Sequence, residues 1–491
     1  MLTLDSASTD KSSLDQIAKA LNNNQQIIAF FIAAFVFYLA QKHVDARFFL
    51  GDARNYWQLS SYILNFSFPE NLRGYFFPLL LSPAKYLSET FPQLGFLPLR
   101  ILQAIAYSYI LSILLPNLFL RIFGGHATLS RRLIIPCLVA IFFPGLISYP
   151  LSDLPAFALT LSSIYLLISA EQKTSRAGMY SLLFAAGLLA YGAYNTRPIY
   201  IFSLAASAIA ISFIIFSSRA LSTKMLATLI FTIGSAAGSI PQVMINLEHY
   251  QSPSPMVISN VGETSLFATQ LKWGITIQRY ETLLDKSTEK ASGIYYFDPV
   301  GEEFFKSHAL SETTATVPWY LGLALSEPIV FSKIYLRHFI NGIDVRDHVV
   351  YTTSPSIQKS LRSAMSISVF FLGLFLLLRT ILKPSLSCST ARPQTLSKLF
   401  WLIVLVIPVA AIIPGAIETR FFFPLQALCY GAIAFKTSLP TSKNLLTSKT
   451  LLLALAYVAL VSYSIVTTNA SMLCRTSIVF ESHKAVETKP E

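Results

Sequence analysis

Five charged side chains, Asp52, Asp153, Arg197, Glu418 and Arg420, stand at the ends of apolar segments that lie far apart in the chain. Charged groups near hydrocarbon are costly, at about 2.5 to 3.5 kcal/mol each at a helix centre, so they usually face a cavity, a partner or water. Taken singly, each has an ordinary explanation. An Asp at a helix start is a preferred cap, and an Arg at a helix end commonly snorkels. Taken together on one membrane face, a carboxylate that can accept a proton and guanidinium groups that match an anion bidentately would make a site.

The elements that would position them are transmembrane helices. The 491 residues are 53% hydrophobic and 13% charged, with a mean hydropathy of +0.55, whereas soluble domains carry about 25% charged residues. Stretches that reach the length needed to cross hydrocarbon, about 20 residues with their flanks, occur around 27–40, 96–120, 133–149, 155–170, 179–194, 199–216, 225–245, 364–382, 399–414, 421–435 and 451–466. The expected fold is therefore an all-α multi-pass membrane protein of about eleven transmembrane helices.

The net charge of +12 is not gathered into a nucleic-acid patch, because the basic residues punctuate the helices. With the N-terminus inside, the inner loops hold Arg121, Arg131, Arg132, Lys173, Arg176, Arg219, Lys224, Arg379, Lys383, Arg392, Lys398, Lys436, Lys443 and Lys449. These are 14 basic residues against the single acid Glu171. The positive-inside rule then places Asp52, Asp153, Arg197, Glu418 and Arg420 together on the outer face. The first apolar segment lacks a small-residue cleavage pattern and reads as a retained helix, not a signal peptide. Cys137 and Cys429 fall in helices, Cys388 in an inner loop and Cys474 outside, which gives no disulfide framework.

Three regions follow: an N-terminal transmembrane region, 1–245, with a first outer loop at 41–97; a large outer loop, 246–363; and a C-terminal transmembrane region with a short, mobile tail, 364–491. The run 75–81 is too short to span and is expected along the interface. Within the large loop, 327–340 carries apolar residues at helical spacing around Lys333, Arg337 and His338, the pattern of an interfacial helix. The seven histidines show no metal-ligand spacing. Gly234 and Gly238 lie inside an apolar helix, where they serve close packing, not a nucleotide.

If the chain is helical after Gly51, Asp52 and Tyr56 fall at i and i+4 on one face, which presents the carboxylate beside an aromatic wall. Asp52 with Tyr56, followed by Gly74, Tyr75, Phe76, Phe77, Pro78 and Leu79, resembles the first outer loop of polytopic glycosyltransferases of the C-type superfold. These include the dolichyl-phosphate-mannose protein mannosyltransferases and the aminoarabinose transferases. The likeness continues in order through Leu151-Ser152-Asp153-Leu154-Pro155, Asn195-Thr196-Arg197-Pro198 and Glu418-Thr419-Arg420-Phe421-Phe422-Phe423-Pro424.

That resemblance implies sugar transfer from a polyprenyl-phosphate donor to an envelope glycan or glycolipid, lipopolysaccharide among them. The active site would face the periplasm from a bacterial inner membrane. Asp52 would be the general base of an inverting reaction, and Arg197 and Arg420 would hold the donor phosphate. Asp153 would orient an arginine, although the residues alone favour a cap for the helix near Pro155. Glu418 would hold Arg420. Many relatives carry a second acid directly after the first-loop Asp, but Ala53 stands there, which weakens a metal site. A divalent cation stays open, with Asp45 able to contribute only if its loop folds back. The competing expectations are a lipid-linked glycan polymerase or ligase and a lipid flippase or transporter, though transport sites tend to lie at the midplane.

Overall fold

The structure is a computed structural model that describes residues 6–65, 67–285, 290–346, 350–352, 359–382, 391–437 and 448–479. Lys383, Cys388 and Lys443 lie outside the described residues.

The N-terminal half is a helical bundle. It contains α1 (Ser6–Val44), α2 (Gly51–Leu64) and α3 (Phe76–Thr90), then α4 (Leu97–Tyr109), which passes through one π turn into α5 (Leu115–Phe123). α6 (Leu129–Phe142) and α7 (Pro144–Ser148) precede α8 (Asp153–Glu171), α9 (Arg176–Thr196), α10 (Ile201–Ala210) and α11 (Leu221–Tyr250). α9 packs between α8 and α11. A Cβ on Gly234 would come within 2.0 Å of the Phe184 carbonyl, so the small residue there is a packing glycine, as expected.

Among the described residues nine helical segments are long and apolar enough to cross a membrane. The two further spans expected at 133–149 and 421–435 are shorter. α6 and α18 (Phe423–Lys436), which follows α17 (Ala391–Ile412), have 14 residues each, about 21 Å at 1.5 Å per residue. The break at Phe143, followed by Pro144, ends the first. A 3-10 turn over Thr419–Phe422 delays the second. α18 is buried along most of its length against α16 (Ser360–Leu382) and α6. The membrane part is helical throughout, in agreement with the sequence.

The outer segment adds a sheet to its helices. Two-residue strands β1 (Asn260–Val261) and β2 (Thr264–Ser265) form a small hairpin before α12 (Leu266–Thr276). β3 (Ile277–Asp285) and β4 (Lys290–Phe297) then pair antiparallel, from Ile277 opposite Phe297 to Asp285 opposite Lys290. α13 (Pro299–Ser307), α14 (Val317–Ser326) and α15 (Pro328–Ile343) follow. β5 (Tyr351–Thr352) joins β3 in parallel, and β6 (Arg475–Val479), after α19 (Ser448–Ser471), joins β4. Residues 475–479 of the tail, expected to be mobile, thus complete the sheet order β5-β3-β4-β6.

α15 is held in the fold by one side and exposes Ile329 and Leu336 on the other. Arg337 forms an ion pair with Asp298 at 2.6 Å, and fully buried His338 donates from Nδ1 to the Ile413 carbonyl at 2.6 Å. Burial keeps that imidazole neutral, with its pKa lowered to about 4. Arg346, wholly buried beside Asp344, reaches Ser363 on α16 at 3.0 Å and Thr468 on α19 at 2.8 Å, which ties the outer segment to the membrane helices.

Exposed Ser67 and exposed Ser175 lie at opposite ends of the bundle, since α8 and α9 traverse it as a hairpin. In a background without native cysteines, Ser67→Cys should react with an impermeant maleimide in intact cells. Ser175→Cys should react only after permeabilisation. Labelling of both from one side would overturn this topology.

Candidate functional site

The site begins at the N-terminus of α2. Leu50, the residue before it, is extended and offers no side-chain cap, and Gly51 adopts φ +53°, a left-handed conformation that favours glycine. The free N–H of Ala53 donates to the Tyr351 hydroxyl at 3.1 Å. One of the orphan donors of the helix end is therefore served by a tyrosine from β5. Asp52 is not the cap. Its Oδ1 accepts from Arg73 Nη2 at 2.6 Å and its Oδ2 from Arg420 Nη2 at 3.2 Å.

Arg73 reaches this position because Gly74 lies flat against α9. A Cβ on Gly74 would meet the Asn195 carbonyl at 2.1 Å, so any side chain would push the loop away. The Asn195 Oδ1 then accepts the Phe76 N–H at 2.8 Å, its amide donates to Gln242 at 2.8 Å, and Gln242 donates to Asn246 at 3.0 Å. Two segments 120 residues apart in sequence are locked together by this buried relay, with Arg73 just before one contact and Arg197 just after the other.

Arg197 ends α9 and pairs with Asp153, the first residue of α8; its guanidinium lies 4.3 Å over the Phe421 ring. The cap reading of Asp153 is corrected here. Ser152 stands at the N-cap position with no side-chain cap bond, and the Asp153 carboxylate, 3% exposed, serves Arg197 and, at 3.5 Å, Arg420. Arg420 is the hub: it also pairs with Glu418, so one guanidinium touches three carboxylates. β3 places this segment, because the Tyr280 N–H donates to the Ile417 carbonyl at 3.0 Å.

Three arginines thus alternate with three acids, and their fields set the titration. Burial alone would raise Asp52, but the charges of Arg73, Arg420 and Arg197 outweigh it and hold the carboxyl at about 2. Glu418 goes the other way: burial raises it more than Arg420 lowers it. Burial and the charge of Glu418 push the Tyr280 phenol well up, so it stays protonated.

These groups line a cavity of about 880 Å³, within the size range of small-molecule sites. All six residues singled out from the sequence, Asp52, Tyr56, Asp153, Arg197, Glu418 and Arg420, face it. Apolar side chains share the lining with them, among them Ile199, Ile201, Phe202, Met256, Leu266 and Ile412. Phe202 lies on a helix long and apolar enough to cross a membrane and remains 38% exposed, so the lining reaches the outside of the bundle. Asp45 takes no part, being paired with Arg47 at the surface. Among the described residues no group of three His, Cys, Asp or Glu side chains is set to hold a metal. A cation beside Asp52 would contend with Arg73 and Arg420, so this donor set does not fit a divalent ion.

Arg73, Tyr280 and Tyr351 were not singled out from the sequence. The position of Arg73 directly before Gly74-Tyr75 was the one signal for it. Neither tyrosine had one, since both arrive on strands of a sheet that pairs distant segments.

No family model matches the chain and no curated protein matches it. Among solved structures it is similar to the crystal structure of the Archaeoglobus fulgidus oligosaccharyltransferase in the apo form, at 14% identity, 91% coverage of this chain and a TM-score of 0.44. The chain spans 56% of the length of that structure. At that level the likeness carries no functional argument, and the reading below stands on the site's own residues.

Proposed function

We propose that the protein is a glycosyltransferase that moves a sugar from a polyprenyl-phosphate donor to a hydroxyl of an envelope glycan or glycolipid. The observation that carries this reading is a single cavity with both charged and apolar lining. A carboxylate among three arginines lines it together with Ile201 and Phe202 of a membrane-spanning helix, Phe202 being 38% exposed. That combination suits a ligand with a phosphate head and a hydrocarbon tail, on a periplasm-facing site of the inner membrane.

In the reaction, the acceptor hydroxyl attacks the anomeric carbon from the face opposite the phosphate. The carbon–oxygen bond to the phosphate breaks with inversion, the proton passes to Asp52, and polyprenyl phosphate leaves with the bonding electrons. Arg197, Arg420 and Arg73 hold the departing phosphate through charge-assisted hydrogen bonds. Tyr56 walls the acceptor side, Asp153 orients Arg197 and Arg420, and Glu418 anchors Arg420.

At about 2, Asp52 is a poor base, because an efficient one titrates near the working pH. A phosphate that draws Arg73 and Arg420 onto itself restores its basicity on donor binding. For the free enzyme, read in kcat/KM, the acid limb should therefore lie below about pH 4, the ordinary carboxylate range. In the donor complex, read in kcat, the limb should lie higher. Arg73→Gln should raise the kcat/KM limb toward the kcat limb. Coincident limbs in the wild type would show that no exchange occurs.

The reading itself is tested by mass spectrometry of envelope glycolipids from cells with and without this chain. One sugar should be missing without it, and accumulated sugar-linked polyprenyl phosphate should appear. An identical glycolipid profile with unchanged donor levels would sink the proposal.

A further inference from the structure

A second cavity, of about 400 Å³, lies at the other end of the bundle. α8 fixes the separation: Asp153 opens it beside the first cavity, and Ser169, sixteen residues on, accepts a hydrogen bond from Arg121 at 2.9 Å. That is about 24 Å of helix. The second cavity is thus at the opposite membrane face, level with the ends of α5 and α8.

Its chemistry is one-sided. Arg121, Arg132 and His126 line it with the amides of Gln26 and Asn117, and among the described residues no carboxylate does. Arg121 is held in place without an acid: its guanidinium lies 4.4 Å over the Tyr165 ring and donates to the Tyr165 hydroxyl at 3.2 Å. Arg132, only 1% exposed, donates to the Ser112 carbonyl at 3.3 Å and to Asn117 Oδ1 at 3.0 Å. Among the described residues no ion pair involves Arg121. The adjoining chain adds further positive charge, as Lys436 donates to the Phe123 carbonyl at 2.6 Å and Arg131 to the carbonyls of His126 and Thr437 at 3.3 Å.

Oriented guanidinium groups complement a phosphate, whose oxygens accept charge-assisted N–H bonds from them. The position decides the source of that phosphate. The cleft lies at the ends of the spanning segments Leu97–Phe123 and Asp153–Glu171, beside Leu120 and Tyr165, and basic pockets between membrane helices at such a position meet anionic lipid heads. We infer that this cleft is a binding site for the phosphate headgroup of an anionic phospholipid, distinct from the cavity at the other face.

The test uses the delipidated chain in detergent, incubated with phosphatidylglycerol or with phosphatidylcholine of the same acyl chains, and native mass spectrometry of retained lipid. One phosphatidylglycerol should be retained in preference to phosphatidylcholine. Arg121→Gln, which removes a surface-reaching side chain, should weaken retention about fivefold, and with Arg132→Gln added roughly 30-fold. Should the double variant fail to fold, the single one decides. Equal retention of the two lipids, or retention indifferent to Arg121→Gln, would overturn the inference. So would displacement by millimolar inorganic phosphate, which would mark a soluble-anion site.

Discussion

Replacing Asp52 with Asn should leave the protein folded and in the membrane while transfer falls by about 10²- to 10⁴-fold. The substitution keeps size and leaves an amide oxygen to accept from Arg73, now at 2.6 Å from the carboxylate. The start of α2 does not depend on the lost charge, since Ala53 is served by Tyr351. What changes is the balance: three arginines then face two acids. Donor phosphate should bind as well as before or more tightly, so KM should hold or fall while kcat collapses. A variant that transfers sugar at near wild-type rate per folded molecule would remove Asp52 as the base. Parallel loss of abundance and activity would make it a packing residue.

Arg420→Met should produce the largest loss of stability. The methionine fills the space, but Asp153, 3% exposed, and Glu418, 8% exposed, lose a cation they share. Breaking a buried pair from one side costs about 3 to 5 kcal/mol, because the remaining charge stays buried without compensation. The sign with pH follows from the carboxylates. In the wild type Asp52 is depressed to about 2, so its stabilising contribution is complete above the ordinary Asp value and is lost as pH falls toward 2. Without Arg420 the acids bind protons more readily, and protonation relieves the uncompensated charge. Thermal unfolding in detergent should therefore show a deficit that is greatest at neutral pH and shrinks on acidification. A deficit independent of pH would assign the effect to packing alone.

The membrane architecture was legible in the sequence because hydrocarbon imposes length and apolarity on every spanning helix. Nine of the eleven expected spans reach that length, and of the two that do not, α18 is apolar because it is buried among other helices, whereas α6 buries five of its 14 residues. Composition cannot distinguish burial in protein from burial in lipid. The sheet escaped notice for a related reason. β3, with Gln278, Arg279 and Glu281 buried, shows no simple alternation, since its polar side chains find partners on α15, β4 and beyond.

Of the site, the sequence by itself determined the inventory. Charged residues that survive at helix ends of so apolar a chain are few, and Asp52, Asp153, Arg197, Glu418 and Arg420 all proved to line one cavity. Their pairing was decided only by tertiary structure. Whether an Asp at a helix start caps that helix or serves an arginine depends on which group from elsewhere reaches it first. For Asp52 that was settled by Tyr351 taking the Ala53 N–H, and for Asp153 by the ends of α9 and the turn before α18 converging on it. Arg73 joined the site because Gly74 lets its loop close onto Asn195, a contact across 121 residues. Local sequence sets which charges exist, whereas the neighbours that fix the protonation of Asp52, Arg73 at 21 residues and Arg420 at 368, are brought to it only by tertiary packing.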